Sequence, residues 1–139
     1  EGAESVNRTL DDITISPQVS IYVTDDVKSA RDRERPHIAF YIGGMGVFYH
    51  EYMHRIGFGE ESDVIREAYL ARERQRAADL VTDEMVDAMT IIGTPHECAN
   101  QMDNFFKAGV DEIRLVFNEP DVNGYREGIR ALAPYLQSD

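Results

Sequence analysis

The sequence predicts an α/β fold built on parallel strands, and three observations carry that prediction. Residues 89–117, MTIIGTPHECANQMDNFFKAGVDEIRLVF, read as one strand–helix–strand unit. A second β-rich run, QVSIYV at residues 18–23, alternates Val19, Ile21 and Val23 with Gln18, Ser20 and Tyr22. Between the two lie amphipathic helical stretches, and parallel strands need crossovers of that kind. In such folds the loops that follow the strands are where ligands gather.

Taken in order, residues 1–16 are polar and turn-prone and form a leading loop. Strand 18–23 ends at Thr24-Asp25-Asp26, which caps a helix over residues 27–35. Pro36 is expected to kink that helix or divide it. An apolar run at residues 37–42 is broken by Gly43-Gly44-Met45-Gly46, expected to bend the chain between two helices. A helix over residues 47–56 stops at Gly57-Phe58-Gly59. Residues 60–80 read as one long charged helix with Val64, Ile65, Ala68, Tyr69 and Leu70 on its apolar face, and a short helix at 82–88 leads into strand 89–92.

The next helix carries its start signal in full. Thr94 can N-cap it, Pro95 suits the first helical position, and Glu97 is placed to close a capping box. Met102, Phe105 and Phe106 recur at the spacing of a buried face, Lys107 favours the negative end, and Gly109 can take the left-handed stop conformation. Residues 110–117 follow as a strand. Asn118-Glu119-Pro120-Asp121 then turns into a closing helix that presents Tyr125, Ile129, Leu132 and Leu136. The sum is about three strands and six helices. A closed eight-stranded barrel takes about 250 residues, so the chain reads as part of a larger α/β architecture.

Composition bounds the function. The 139 residues, 42% hydrophobic and 29% charged, are those of one globular domain spanning 1–139. A net charge of -12 disfavours nucleic-acid backbones and anionic membranes. No apolar run reaches the roughly 18 residues of a membrane span. Cys98 is the single cysteine, so no intrachain disulfide forms and a reducing, cytoplasmic location is expected. Near a helix start Cys98 is open to activation by the dipole, but with no base beside it a packing role is expected. The chain opens at Glu1 without methionine, compatible with processing or with a domain cut from a longer protein.

Four clusters bear on chemistry. His50-Glu51-Tyr52-Met53-His54 matches H-E-x-x-H, which on a helix aligns two histidines for zinc with Glu51 as general base. The longer zinc pattern wants a third histidine where Glu60 stands, a downstream glutamate ligand would be Glu67 or Glu73, and plain helix surface is the expected role of both histidines. Gly43 to Gly46 fits neither phosphate-loop spacing. Arg72, Arg74 and Arg76 alternate along a helix and fan over different faces, with contact to an anionic cofactor tail as the alternative to solvated surface. Gly93-Thr94-Pro95 joins a strand end to a helix amino terminus, where free N–H groups and the dipole favour anions.

The residues also resemble a family. FYIGG, YMHRIGFGEESDVIREAY, RQRAADLVTDEMVDAMTIIGTPHECANQMDNFFKAGVDEIRLVF, in that order, are similar to the carboxyl-terminal part of luciferase-like monooxygenases. Within these they look most like the deazaflavin (coenzyme F420)-dependent branch, akin to methylenetetrahydromethanopterin reductase. The pieces that carry the likeness are Ala39-Phe40-Tyr41, Gly57-Phe58-Gly59, Ala68-Tyr69, residues 81–88, Ile92-Gly93-Thr94-Pro95 and Ala108-Gly109-Val110-Asp111. The resemblance implies a (β/α)8 barrel, here its last three strands with extra helices, and hydride transfer at coenzyme F420 or FMN held at the strand ends. It also implies that His50 and His54 are not family ligands, leaving no metal expected.

Members of that family run to about twice this length or more, so the chain is expected to be a fragment, inactive alone, whose acid, base and hydride-handling groups lie elsewhere. On the resemblance, Gly93 and Thr94 approach the cofactor tail, Arg74 or Arg76 neutralises it, and Thr24, Asp25 and Asn118 line the same face. The expected partners are a small-molecule substrate and further copies of the chain, joined at open sheet edges. A zinc hydrolase using His50, Glu51 and His54, and a non-catalytic oligomerising domain, are the alternatives.

Overall fold

The computed structural model describes residues 2–119 and 121–136. Pro120, assigned to the turn before the closing helix, lies outside them. Three β-strands and seven α-helices are found among the described residues: β1 Gln18–Val23, α1 Val27–Gly44, α2 Phe48–Arg55, α3 Gly59–Leu70, α4 Arg74–Asp79, α5 Asp83–Met89, β2 Thr90–Gly93, α6 Pro95–Lys107, β3 Arg114–Phe117 and α7 Val122–Leu132. Short 3-10 turns stand at Glu4–Val6, Leu10–Asp12 and Ala133–Tyr135.

The chain divides into two compact units. The first, residues 1–23 and 93–139, holds β1, α6, β3 and α7. Here β1 and β3 run parallel with Val19 opposite Leu115 and Ile21 opposite Phe117. The lead into that pairing is hydrogen-bonded as well: the Asp111 and Arg114 N–H groups donate to the Ile15 and Pro17 carbonyls at 3.0 and 2.9 Å. Val19, Ile21, Tyr22, Cys98, Met102 and Leu132 are buried in this unit. The strand expected over 110–117 is shorter, because residues 110–113 are spent on the helix stop and on these loop bonds. The expected inward face of the closing helix is confirmed only at Leu132; Tyr125, Ile129 and Leu136 are exposed, although Tyr125 meets the Phe117 ring edge-on at 5.3 Å. Phe106 is likewise exposed.

The second unit, residues 24–92, is helical around Ile38, Ile42, Met53, Ile65, Met85 and Val86. Its main helix, α1, begins on Asp26, whose side chain accepts from the Ser29 N–H, and runs through Pro36 unbroken. Of the two outcomes expected at Pro36, a proline within the helix or a division, the first is found. Packing decides this: Ile38, Ala39 and Ile42, all beyond the proline, are buried, and α1 packs against α3 and α4. The expected long helix over 60–80 does divide. It stops at Leu70 and restarts at Arg74, with Arg72 in the left-handed region at φ 66°. Val64 and Leu70, placed on the apolar face from the sequence, are exposed, whereas Ser62, Ile65 and Ala68 are buried.

The glycine cluster is explained by close packing. Gly43 and Gly44 lie inside α1, where a Cβ on Gly43 would fall 2.3 Å from the Tyr69 Cβ of α3. Gly46 makes the turn at φ 82°, and Arg66 donates to the Gly46 carbonyl at 2.6 Å. A side chain at Gly43 would force the two helices apart, so the residue serves helix contact and not phosphate binding.

Candidate functional site

In the first unit, the segment that leaves β2 builds the expected capping box. The Thr94 Oγ1 accepts from the Glu97 N–H at 3.3 Å, and the Thr94 N–H and O–H both donate to Glu97 Oε2 at 2.8 Å. These bonds hold the Glu97 carboxyl below its usual range, the Thr94 backbone N–H being the largest cause. Gly93 is buried at φ 148°, and a Cβ there would meet Glu97 Oε2 at 2.8 Å. Gly93 is thus required by the cap itself. The consequence for ligand binding is direct. The Glu97 carboxylate stands where an anion at this helix start would stand, and it has taken the Thr94 N–H. An anion that is to accept from the Thr94 N–H must first displace that carboxylate.

Asn118, at the end of β3, donates from Nδ2 to the Ser20 hydroxyl at 3.0 Å and ties the ends of two paired strands. A cleft of about 510 Å³ in the same unit is lined by Met102, Asp103, Phe106, Ile113, Leu115 and Tyr135.

The remaining sequence-derived candidates belong to the second unit. Thr24 Oγ1 accepts from the Asp26 N–H at 3.0 Å, shaping the turn ahead of α1, and Asp25 beside it is exposed. Arg74 donates to the Tyr69 carbonyl at 2.7 Å, and its guanidinium carbon lies 3.4 Å above the Tyr69 ring, a cation–π arrangement. Arg76 pairs with Glu73 at 2.6 Å, which raises its pKa. Both arginines are engaged in helix-end bonding. Arg31 and Arg35 of α1, not singled out from the sequence, hold α5: Arg31 forks onto Asp87 at 2.9 and 2.6 Å, and both arginines reach Asp83.

The H-E-x-x-H segment lies on α2 as expected, with the His50 and His54 rings 4.8 Å apart. The third group is neither Glu60, Glu67 nor Glu73. It is Asp63 of α3, whose Oδ1 lies 2.7 Å from His50 Nε2 and 2.8 Å from His54 Nε2. These bonds, the one from His54 first, hold the Asp63 carboxyl below its ordinary value. The nine-residue separation from His54 belongs to no familiar ligand spacing; only the tight turn at Gly57, φ 98°, brings Asp63 back beside the histidines.

Comparison with known proteins places this architecture. The description luciferase-like monooxygenase matches residues 1–112. A Mycobacterium tuberculosis protein assigned by name as a coenzyme F420-dependent oxidoreductase is 29% identical over 107 residues, covering 74% of this chain and 31% of that protein. The 5,10-methylenetetrahydromethanopterin reductase of Methanopyrus kandleri is 27% identical over 113 residues, 81% of this chain and 32% of the relative. The solved structure of the coenzyme F420-dependent tetrahydromethanopterin reductase of that organism matches with a TM-score of 0.76 at 25% identity, over 99% of this chain and 40% of its own. The chain therefore has the fold of part of a (β/α)8 barrel, and it spans about a third of the length of these curated relatives. With the family description covering most of its residues, the chain belongs to the luciferase-like monooxygenases.

Proposed function

We propose that this chain is part of a cytoplasmic oxidoreductase that uses coenzyme F420 to exchange a hydride with a small-molecule substrate. The observation that carries the reading is the agreement of two relatives, both named for F420 or for a tetrahydromethanopterin reduction, along more than two-thirds of the chain. Coenzyme F420 supplies a two-electron hydride donor or acceptor; FMN is the alternative cofactor of the wider family. The chain's own contribution is a framework for the cofactor's anionic tail. In this reading Gly93 and Thr94 meet the tail after Glu97 has swung aside, Arg74 or Arg76 supplies positive charge, and Thr24, Asp25 and Asn118 border the same end of the sheet. No residue among these is an acid or base of the reaction.

The test is a fluorescence titration of the protein encoded by the full reading frame with coenzyme F420 and, separately, with FMN. Saturable F420 binding supports the reading; binding of neither sinks it. FMN binding alone moves the protein to the other branch of the family. A Glu97→Gln variant that binds F420 more tightly than the wild type supports tail contact at Thr94, because it removes the competing carboxylate charge. Unchanged affinity removes Gly93 and Thr94 from the cofactor site.

A further inference from the structure

We propose that His50, His54 and Asp63 form a binding site for a divalent transition ion of the zinc class, which clips α2 to α3. The three donors are two imidazole nitrogens and one carboxylate oxygen, all within 4.8 Å of one another. That donor set suits zinc, with water completing the tetrahedron. Ligand bonds of about 2.0–2.2 Å separate tetrahedral donors by about 3.3 Å. The present nitrogen–oxygen separations of 2.7 and 2.8 Å need to open by about half an ångström for the ion to enter, and the donors, now spread over as much as 4.8 Å, need to draw together to that same spacing.

The surroundings favour it. His50 is held on the helix with its side chain 21% exposed, while His54 and Asp63 are 45% and 58% exposed, leaving an entry path and room for water. The His54 ring is seated against Gly59, where an added Cβ would lie 2.6 Å from Nδ1. Glu60 and Glu61 line the same shallow cavity as His54 and Asp63, adding negative potential for a cation. In the ion-free arrangement both Nε2–H groups converge on a single Asp63 oxygen. On binding, each imidazole carries its proton on Nδ1 and presents its Nε2 lone pair to the metal, so no net proton is lost from the rings. Glu51 has an exposed side chain and is not one of the three clustered groups, so the proposal gives it no part in holding the ion.

Titration of the chain with zinc chloride, followed by calorimetry and by the imidazole proton resonances, tests this. One saturable zinc per chain is expected, with shifts confined to His50 and His54 and a rise in melting temperature that a chelator reverses. His50→Ala, His54→Ala and Asp63→Asn should each weaken binding about tenfold or more. Glu51→Gln and His96→Ala should bind as the wild type does. The proposal is overturned if the wild type shows no saturable binding, or if the shifts appear at His37 or His96 instead. Because the resonance measurement uses the unmodified chain, it decides the question even where a variant fails to fold. Glu51→Gln that abolishes binding would also overturn the assigned ligand set.

Discussion

Cys98 sits where two opposite effects on a thiol meet. The amino terminus of α6 lowers a thiol pKa, and burial raises it. Burial wins: the side chain is fully buried, its Sγ lies 3.3 Å from the Gly93 carbonyl, and its pKa is pushed up from 9.0 to about 11, chiefly by desolvation and secondly by the Glu97 charge. The packing role expected of it is therefore the observed one. Because the folded thiol is the weaker acid, its contribution to stability is complete below pH 9 and is lost as the unfolded chain ionises between pH 9 and about 11. The stability difference between the wild type and Cys98→Ala, measured by denaturant unfolding, should shrink steadily across that window. A difference that is constant from pH 8 to about pH 11 would show that the thiol is not desolvated. Subtracting the alanine variant removes the common titration of lysines and tyrosines.

Helix ends show which parts of the fold were legible in the sequence. The α6 boundaries could be read directly, since Thr94, Pro95, Glu97 and Gly109 are the residues whose local chemistry defines them, and Gly109 stops the helix at φ 93° with Val110 N–H bonded to the Phe105 carbonyl at 3.1 Å. The stop of α2 has the same geometry on Gly57. The stop of α3 does too, with the Glu73 N–H bonded to the Ala68 carbonyl at 2.9 Å, but its left-handed residue is Arg72. A left-handed stop made by an arginine instead of a glycine leaves no signal in the sequence, which is why 60–80 read as one helix. At Pro36 the sequence left two outcomes open, a proline inside the helix or a division, and tertiary burial beyond it selects the first. Asp63 was missed for another reason: its proximity to His50 and His54 is made by a turn, not by periodicity. Among the candidate residues, only the capping of Thr94 was visible in advance; the local partners of Arg74 and Arg76 depend on where α3 ends.

That boundary supplies a prediction. An L-residue in the left-handed region costs about 1–2 kcal/mol; glycine, without a Cβ, removes that cost but gives part of the gain back through its greater freedom in the unfolded chain. Arg72→Gly should therefore stabilise the protein by about 0.5–1 kcal/mol, or roughly 2–4 °C in melting temperature. Thermal unfolding monitored at the helical circular dichroism band measures it. A fall in melting temperature would mean that the Arg72 side chain makes a compensating interaction.

At the scale of the whole molecule, the strand order carries the argument. In a closed barrel, consecutive strands are neighbours and none has a free edge. Here β3 pairs in parallel with β1 inside the first unit. Pairing of β3 with the available edge of β1 satisfies one row of backbone groups and leaves another on the far side of β3. Arg114 donates inward to the Pro17 carbonyl, so by the alternation of a strand the Leu115 N–H faces outward. Such edges recruit other chains. The charge of -12 opposes this through self-repulsion, but that repulsion is screened over about 10 Å at 0.1 M salt and over less at higher salt. Self-association should therefore strengthen with both protein concentration and salt. Sedimentation velocity at about 0.02 M and about 0.5 M sodium chloride, across a range of protein concentrations, is the measurement. Leu115→Pro should abolish the salt-promoted species, since proline removes the outward donor while sparing the inward bonds of Arg114. A wild-type chain that stays monomeric at high salt, or a Leu115→Pro chain that associates as strongly as the wild type, would show that the outer edge of β3 recruits no partner.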